Sequence, residues 1–373
     1  MAKNKWFSKL NEDWGVIASQ LENKKTPVVP TPSPSLNWAT GIGGFTPGKI
    51  SVLFGPESAG KSLLAMYSII EVQRKDSEAL SLWIDSEFSF NMPLFIKLGG
   101  DPDRLLIKKT NKPVEIFDFI GGEVLEQLQD GMPLKCLVID SIKAIRYPVE
   151  ANKKSTEDQH MGGSGSKYLG SAIKLILPVI AKYDLLTFFV QQASSEIDPM
   201  KALRNPYVMT EGRALKHAAD LLLEIVKLDT KNGVVESGET ISGASQQVGH
   251  KVRIKVKKNR LGVPARMAEF TYHYDHGIIN TDNEIFELGK SLGVIFHPKN
   301  PETGKENVQM WQFSTYPAIR GEANMLAFVK ESKKIQEEII AACYNHKDAA
   351  VQVDSDGVIV EDNNSLDGIE IDL

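Results

Sequence analysis

A chain of 373 residues with 42% apolar and 24% charged side chains has room for one large core and smaller appendages, and its make-up is that of an ordinary soluble globular protein. No apolar run approaches the ~20 residues of a membrane-crossing helix. The amino-terminal MAKNKWFSKLNEDW lacks an apolar segment followed by a small-residue cleavage site, so neither a membrane nor a secreted protein is expected. Cys136 and Cys343 form no metal-ligand pattern and read as reduced, buried thiols of a cytoplasmic protein. The formal net charge of −5 hides an asymmetry: Asp354, Asp356, Glu361, Asp362, Asp367, Glu370 and Asp372 lie in a tail with no Lys or Arg, and without them the body carries +2. A near-neutral body with local basic patches is compatible with a nucleic-acid partner.

In chain order, residues 8–22 read as a short amphipathic helix with Leu10, Trp14, Ile17 and Leu21 on one face. The next stretch, TPVVPTPSPS, has four prolines in ten residues and predicts an extended arm that does not pack. From about Leu36, short apolar runs alternate with helical stretches. Lys49–Phe54, Leu80–Ile84, Cys136–Ile139 and Leu186–Val190 are continuous β-formers, as suits strands covered on both faces of a mostly parallel sheet. Helices are predicted over Ser62–Lys75 and Val114–Gln129. A second strand group follows at Leu221–Val226, Lys251–Lys257 and Ala268–Tyr274, then a smaller mixed segment with a helix near Met325–Tyr344. The expected division is 1–34, helix and Pro-rich arm; 35–275, α/β core; 276–346, small α+β domain; 347–373, acidic tail.

The most specific motif is Gly55-Pro56-Glu57-Ser58-Ala59-Gly60-Lys61-Ser62, a complete G-x-x-x-x-G-K-S placed between a predicted strand and a predicted helix. The glycines let backbone N–H groups face phosphate, and the helix N-terminus adds its positive dipole end. Lys61 is placed for the β/γ-phosphates of ATP and the Ser62 hydroxyl for Mg²⁺. Asp140 ends the run Leu137-Val-Ile and is the second candidate Mg²⁺ ligand. Hydrolysis needs a group that polarises water. Glu87, just past Leu80–Ile84, is the favoured candidate; Asp85 competes, with a structural capping role as its alternative. Gln191-Gln192 offers a residue that senses the γ-phosphate.

Two polar stretches read as DNA-binding loops. The first, about Pro148–Lys167, is glycine-rich at its end; Lys167 and Lys174 lie seven residues apart, on one helix face. The second, about Ser194–Arg213, follows Gln192 as roughly 20 residues without predicted structure. It holds Met200, Lys201, Arg204, Tyr207 and Met209, a mixture of cations for the backbone and side chains on which bases stack. In Lys251-Val-Arg-Ile-Lys-Val-Lys257, basic and apolar residues alternate, so one face is apolar and the other cationic.

Together, GPESAGKS, WIDSE, LVIDS, the HMG of His160–Gly162, FVQQ, ALKHAAD and VRIKVKKNR resemble the RecA recombinase family, including phage recombinases of the UvsX type. The order holds from about Ser35 to Gly293. The resemblance implies a RecA-type ATPase core and an ATP-dependent strand-exchange recombinase that forms a helical filament on single-stranded DNA, pairs it with homologous double-stranded DNA, and works with loader and single-strand-binding proteins. It implies Glu87 as catalytic glutamate, Gln192 as the switch between γ-phosphate and DNA, and Lys258 and Arg260 as cations reaching ATP on the neighbouring protomer. Met161, Gly162 and Arg213 join the DNA contacts on the same ground. The amino-terminal helix and arm are similar to the family's polymerisation arm, and the acidic tail to its autoinhibitory tail. The chain departs from the family pattern at Leu94, where an adenine-stacking aromatic stands (Phe95 is adjacent), at Asn91, where bacterial members have an acid, at His217 for Phe, and at Glu211–Arg213. A hexameric RecA-fold helicase and an ATP-binding recombination mediator remain the competing readings.

Overall fold

The apolar runs become buried strands because they are covered on both sides. The computed structural model describes residues 27–146, 164–198, 200, 206–209, 213–228, 233–241, 244–300 and 303–346. The chain enters through α1 (Pro34–Ala39), whose first turn is capped by the Ser33 hydroxyl accepting from the Leu36 N–H at 3.2 Å. It then alternates β1 (Ile50–Gly55), α2 (Lys61–Lys75), β2 (Leu80–Asp85), α3 (Met92–Lys97) and β3 (Leu105–Lys109). The helix expected over Val114–Gln129 is α4 (Pro113–Phe119) and α5 (Leu125–Gln129) joined by a π turn at Ile120–Val124. A Cβ on Gly121 would lie 3.1 Å from the Leu175 side chain of the next helix, so the glycine lets the two elements approach closely. There follow β4 (Leu134–Asp140), α6 (Ser164–Lys182), β5 (Leu186–Ser195), β6 (Tyr207–Met209), α7 (Arg213–Ala218), β7 (Leu221–Leu228), β8 (Val234–Ile241), β9 (Ala244–Asn259), β10 (Met267–His273) and β11 (Gly277–Ile279).

The main sheet runs β11-β10-β9-β7-β1-β5-β4-β2-β3. Strands β7, β1, β5, β4, β2 and β3 are mutually parallel, while β9 to β11 continue the sheet antiparallel. One face packs on α4 to α7 through Phe117, Ile120, Ile173, Ile176 and Leu215. The other packs on α2, on the entering chain and on the carboxy-terminal elements, α8 (Thr281–Ser291), the small antiparallel sheet β12 (Ile295–Phe296), β13 (Met310–Phe313) and β14 (Ile319–Arg320), α9 (Glu322–Glu331) and α10 (Lys333–Asn345). The single helix expected near Met325–Tyr344 is thus two, broken where Ser332 is extended at φ −142° and ψ 119°.

The described part of the Pro-rich stretch does not hang free, which corrects the expected arm. Its prolines keep the backbone extended, but Val29, Thr31, Ser33 and Ser35 between them are buried, and Val29 bridges to Phe45. Arg266 lies over the Trp38 ring at 4.3 Å and donates to its carbonyl at 3.0 Å. Glu284 of α8 accepts from the Ser33 hydroxyl and from the Ser35 N–H at 2.8 Å, and its Oε2 has no hydrogen-bond partner among the described residues. Burial pushes this carboxyl from its ordinary 4.5 up to about 7, against the pull of the two serines.

The sign follows from linkage. The native state holds the Glu284 proton more tightly than the unfolded chain, so stability is lost as pH rises from 4.5 to about 7 and is flat above. Glu284→Gln keeps an acceptor for both serines and removes the charge. It is expected to unfold at higher temperature than wild type at pH 8, by up to about 3 kcal/mol of stability, and at the same temperature near pH 4.5. Equal melting curves at both pH values would show that the carboxyl is solvated or paired in solution.

Candidate nucleotide site and its surroundings

The loop between β1 and α2 has the geometry of an anion cradle. Gly60 sits at φ +95° and Ser58 at φ +57°, turning successive N–H groups inward. A Cβ on Gly55 would fall 1.9 Å from the Ile225 carbonyl of β7, so the loop lies against the neighbouring strand as only glycine allows. Pro56 is half-buried, Glu57 and Ser58 are exposed, and Ala59 is buried under the turn. Helix α2 starts at Lys61 without a side-chain cap, so its first N–H groups point into the loop.

Lys61 is buried, and its Nζ donates to the loop carbonyls of Gly55 at 3.1 Å and Pro56 at 2.5 Å. Burial lowers its pKa, with Asp140 and Glu87 opposing that shift. The Ser62 hydroxyl donates to Asp140 Oδ2 at 2.6 Å, and burial pushes the Asp140 carboxyl up to about 6. A hydroxyl and a carboxylate in contact at the mouth of a phosphate loop are a hard oxygen donor set, which fits Mg²⁺.

Glu87 and Gln192 come from different strands and meet here. Gln192 Nε2 donates to Glu87 Oε1 at 3.0 Å, and the Ser141 hydroxyl donates to the same oxygen. Gln192 lies beside Gly55 in the β1–β5 register, so the pair stands next to the loop. Asp85 is excluded as a free carboxylate: its two oxygens accept from the Ser89 N–H at 3.0 Å and the Phe90 N–H at 3.1 Å, which fix the turn after β2. Gln191 is buried on the opposite side of the strand. Ser141 was not anticipated, since a serine after a strand is unremarkable until Glu87 is placed against it.

The second polar stretch is more ordered than expected. Strand β5 continues past Gln192 to Ser195 and pairs antiparallel with β6, with Ala193 opposite Met209 and Ser195 opposite Tyr207. The Glu196 N–H closes the base on the Pro206 carbonyl at 2.9 Å. Backbone pairing wins here because Tyr207-Val208-Met209 is a β-forming run. Beyond this base, Ile197 and Met200 are large apolar groups that are 95% and 75% exposed. Lys167 and Lys174 are both exposed on α6. Lys201 and Arg204 lie outside the described residues, as do Met161, Gly162, residues 1–26 and the acidic tail; Arg213 begins α7.

Lys258 and Arg260 lie at the far edge of the sheet from the loop. Asn259 is opposite Leu221, at the level where β1 begins, whereas the phosphate loop follows the end of β1. Lys258 Nζ donates to the Lys216 and His217 carbonyls at 2.8 and 3.1 Å, and Arg260 donates to the His217 carbonyl at 2.8 Å and lies 3.4 Å from Asp220. Along β9 the alternation is as expected. Val252, Ile254 and Val256 are buried, while on the other face Arg253 meets Glu269 at 2.6 Å and Lys257 lies 3.4 Å from the buried Glu224.

A cleft of 510 Å³ runs from the loop past Trp83 and Phe90 to Asn91 and Leu94 of the α3 side; His250, Tyr272 and Tyr274 line its opposite wall. Phe95 is fully buried in the core and does not reach it. The three aromatic side chains of the opposite wall went unnoticed in the sequence, where Tyr272 and Tyr274 read as strand residues and His250 fell just before a predicted strand.

A glycine-turned phosphate loop opening a helix, beside a strand ending in Asp140, defines a P-loop α/β nucleotide-binding protein. The family model for the RecA N-terminal domain matches residues 8–279, and the chain belongs to the RecA family, which serves DNA recombination and repair. The chain is similar to Protein RecA of Caldanaerobacter subterraneus (30% identical over 313 residues, covering 84% of this chain and 82% of that one), of Wolbachia pipientis (29% over 327 residues, 87% and 83%) and of Bacillus thuringiensis (27% over 351 residues, 94% and 92%). Among the described residues no helix is long and apolar enough to cross a membrane.

Proposed function

We propose that the protein is a DNA-dependent ATPase that polymerises on single-stranded DNA and exchanges it with the matching strand of a homologous duplex, in the cytoplasm. The observation that carries this reading is the Glu87–Gln192 contact. One strand, β5, holds Gln192 against the catalytic carboxylate and three residues later becomes the hairpin that bears Met200 and Tyr207. A change at the triphosphate therefore has a short mechanical route to the loop that grips DNA, and DNA binding would favour the ATP state in return.

In this reading the cradle of Gly55 to Ser62 binds the phosphates, and Lys61 leaves its loop carbonyls for the β/γ-phosphate oxygens. Ser62 and Asp140 would hold Mg²⁺, which supplies charge neutralisation of the phosphates when bound. Glu87, oriented by Ser141 and Gln192, accepts a proton from water placed in line with the γ-phosphate. Lys258 and Arg260 act on the nucleotide of the next protomer, so ATP is held between subunits and its hydrolysis loosens the filament. Met161, Gly162, Lys167 and Lys174 in the first loop, and Met200, Lys201, Arg204, Tyr207 and Arg213 in the second, contact DNA. Residues 1–34 serve polymerisation, and the 347–373 tail competes with DNA phosphates.

A strand-exchange assay with circular single-stranded and linear homologous duplex DNA tests the proposal. Joint molecules are expected with ATP and Mg²⁺ and not without ATP, and electron microscopy of the same mixture is expected to show open helical filaments. Closed six-membered rings that unwind a fork would assign the fold to a helicase. DNA binding without ATP turnover would leave a mediator.

A further inference from the structure

We infer that Ser86 is a positioning residue for hydrolysis: it holds the end of β4 so that the Ser141 hydroxyl stays on Glu87 when Gln192 turns to the nucleotide. The inference rests on the proposed reading of Glu87 as the group that takes a proton from water, and adds what keeps that carboxylate aimed. Two donors reach Glu87 Oε1, Gln192 Nε2 at 3.0 Å and the Ser141 hydroxyl. Gln192 lies on the strand that continues into the β5–β6 hairpin, and as the switch it moves with the nucleotide state. Ser141 is the donor that stays, so its own support decides how well Glu87 is held.

That support comes from the neighbouring strand. Asp85 of β2 is opposite Asp140 of β4, so Ser86 and Ser141 are the next residues along, and both are buried. The Ser86 N–H donates to the Asp140 carbonyl at 2.8 Å, and the Ser86 hydroxyl donates to the Ser141 carbonyl at 2.6 Å. These carbonyls belong to the two peptide groups that flank the Ser141 Cα. Each peptide is a rigid plane, so pinning both fixes the backbone dihedrals between them and aims the side chain. The N–H bond carries the strand pairing one step further; the hydroxyl bond is a second tie that pairing does not need. The fold does not depend on it either, because the Ser141 carbonyl also accepts from the Ala144 N–H at 3.3 Å. On the other side of Ser86, Asp85 fixes the turn beyond Glu87 through the Ser89 and Phe90 N–H groups. Glu87 thus sits on a backbone anchored before and after it. Such preorganisation matters for rate, since a misplacement of about 1 Å can cost about 100-fold.

The test is steady-state ATP hydrolysis by the full-length protein with saturating single-stranded DNA and Mg²⁺. Ser86→Ala is expected to lower kcat about tenfold, while KM and the affinity for ATP bearing a fluorophore on the ribose stay within about twofold of wild type. An unchanged kcat, or a loss that falls on ATP affinity instead, overturns the inference. A loosened fold could also slow the reaction, so a double-mutant cycle supplies the decisive measurement. Ser141→Ala is expected to cost about tenfold by itself. Adding Ser86→Ala to it is expected to cost less than about twofold more, because the hydroxyl that Ser86 aims is already gone. Two losses that multiply would show Ser86 acting on the fold at large, and would overturn the inference. Glu87→Gln is measured alongside. Normal turnover by that protein withdraws the reading of Glu87 and the inference with it, whereas a contrary Ser86→Ala result beside an inactive Glu87→Gln protein withdraws the inference alone.

Discussion

Replacing Glu87 by Gln is expected to lower DNA-stimulated ATP turnover about 100-fold or more while ATP-dependent binding to single-stranded DNA persists. The substitution is nearly isosteric. An amide oxygen at the same place still accepts from the Ser141 hydroxyl and from Gln192 Nε2, so the link from the nucleotide to the β5–β6 hairpin survives. What is lost is the ability to take a proton from water. Lys61, Ser62 and Asp140 are untouched, so nucleotide affinity should hold, and filaments that cannot hydrolyse ATP should leave DNA more slowly than wild type. Gln192→Ala would behave differently, since it removes the link and not the base: DNA affinity should cease to respond to ATP. Normal turnover by the Glu87→Gln protein would withdraw Glu87 from its role and reopen the question of where water is activated.

Much of this site could be read from short stretches because its chemistry sits at strand ends. GPESAGKS, Asp140 and Glu87 each follow a run of buried β-formers, and a parallel sheet brings its strand ends to one edge. What sequence could not supply was which side chains turn toward each other. Asp85 and Glu87 stand two residues apart with the same charge, and only the turn N–H groups of Ser89 and Phe90 show that Asp85 is spent on structure. The aromatic wall illustrates the opposite limit. Tyr272 and Tyr274 are far along the chain from Leu94, and their meeting depends on the sheet order that sets β9 and β10 beyond β7. Strand β3 escaped notice for a simpler reason: it is an edge, with Leu106 61% exposed, and its Leu-Leu-Ile-Lys-Lys lacks the apolar continuity of a central strand. The β5–β6 hairpin escaped because its turn residues dominate the composition of a long polar stretch.

The largest consequence of the sheet order concerns Lys258 and Arg260. Strand β9 runs antiparallel to β7, so these cations lie level with the start of β1 around Ser51, with β7 between, while the phosphate loop begins at Gly55, about 13 Å further along the strand. Within one chain they do not reach the phosphate loop, so in the proposed reading their action on ATP crosses a head-to-tail interface, which repeats without closing when it builds a helix. Lys258→Ala/Arg260→Ala protein is therefore expected to lose nearly all DNA-stimulated turnover while remaining folded, since Arg260 is half exposed, it donates to the His217 carbonyl, and Asp220 keeps the Ile50 N–H as a partner without it. Mixing supplies the decisive measurement. Equal amounts of this variant and of Glu87→Gln, each inactive alone, create interfaces in which an intact Glu87 meets intact cations from its neighbour. Random assembly places that combination at about one interface in four, so turnover should recover to about a quarter of wild type. Cations acting within their own chain would give no recovery at any mixing ratio. A dependence of the recovered rate on the product of the two fractions, maximal at equal amounts, would mark the active site as shared between successive protomers.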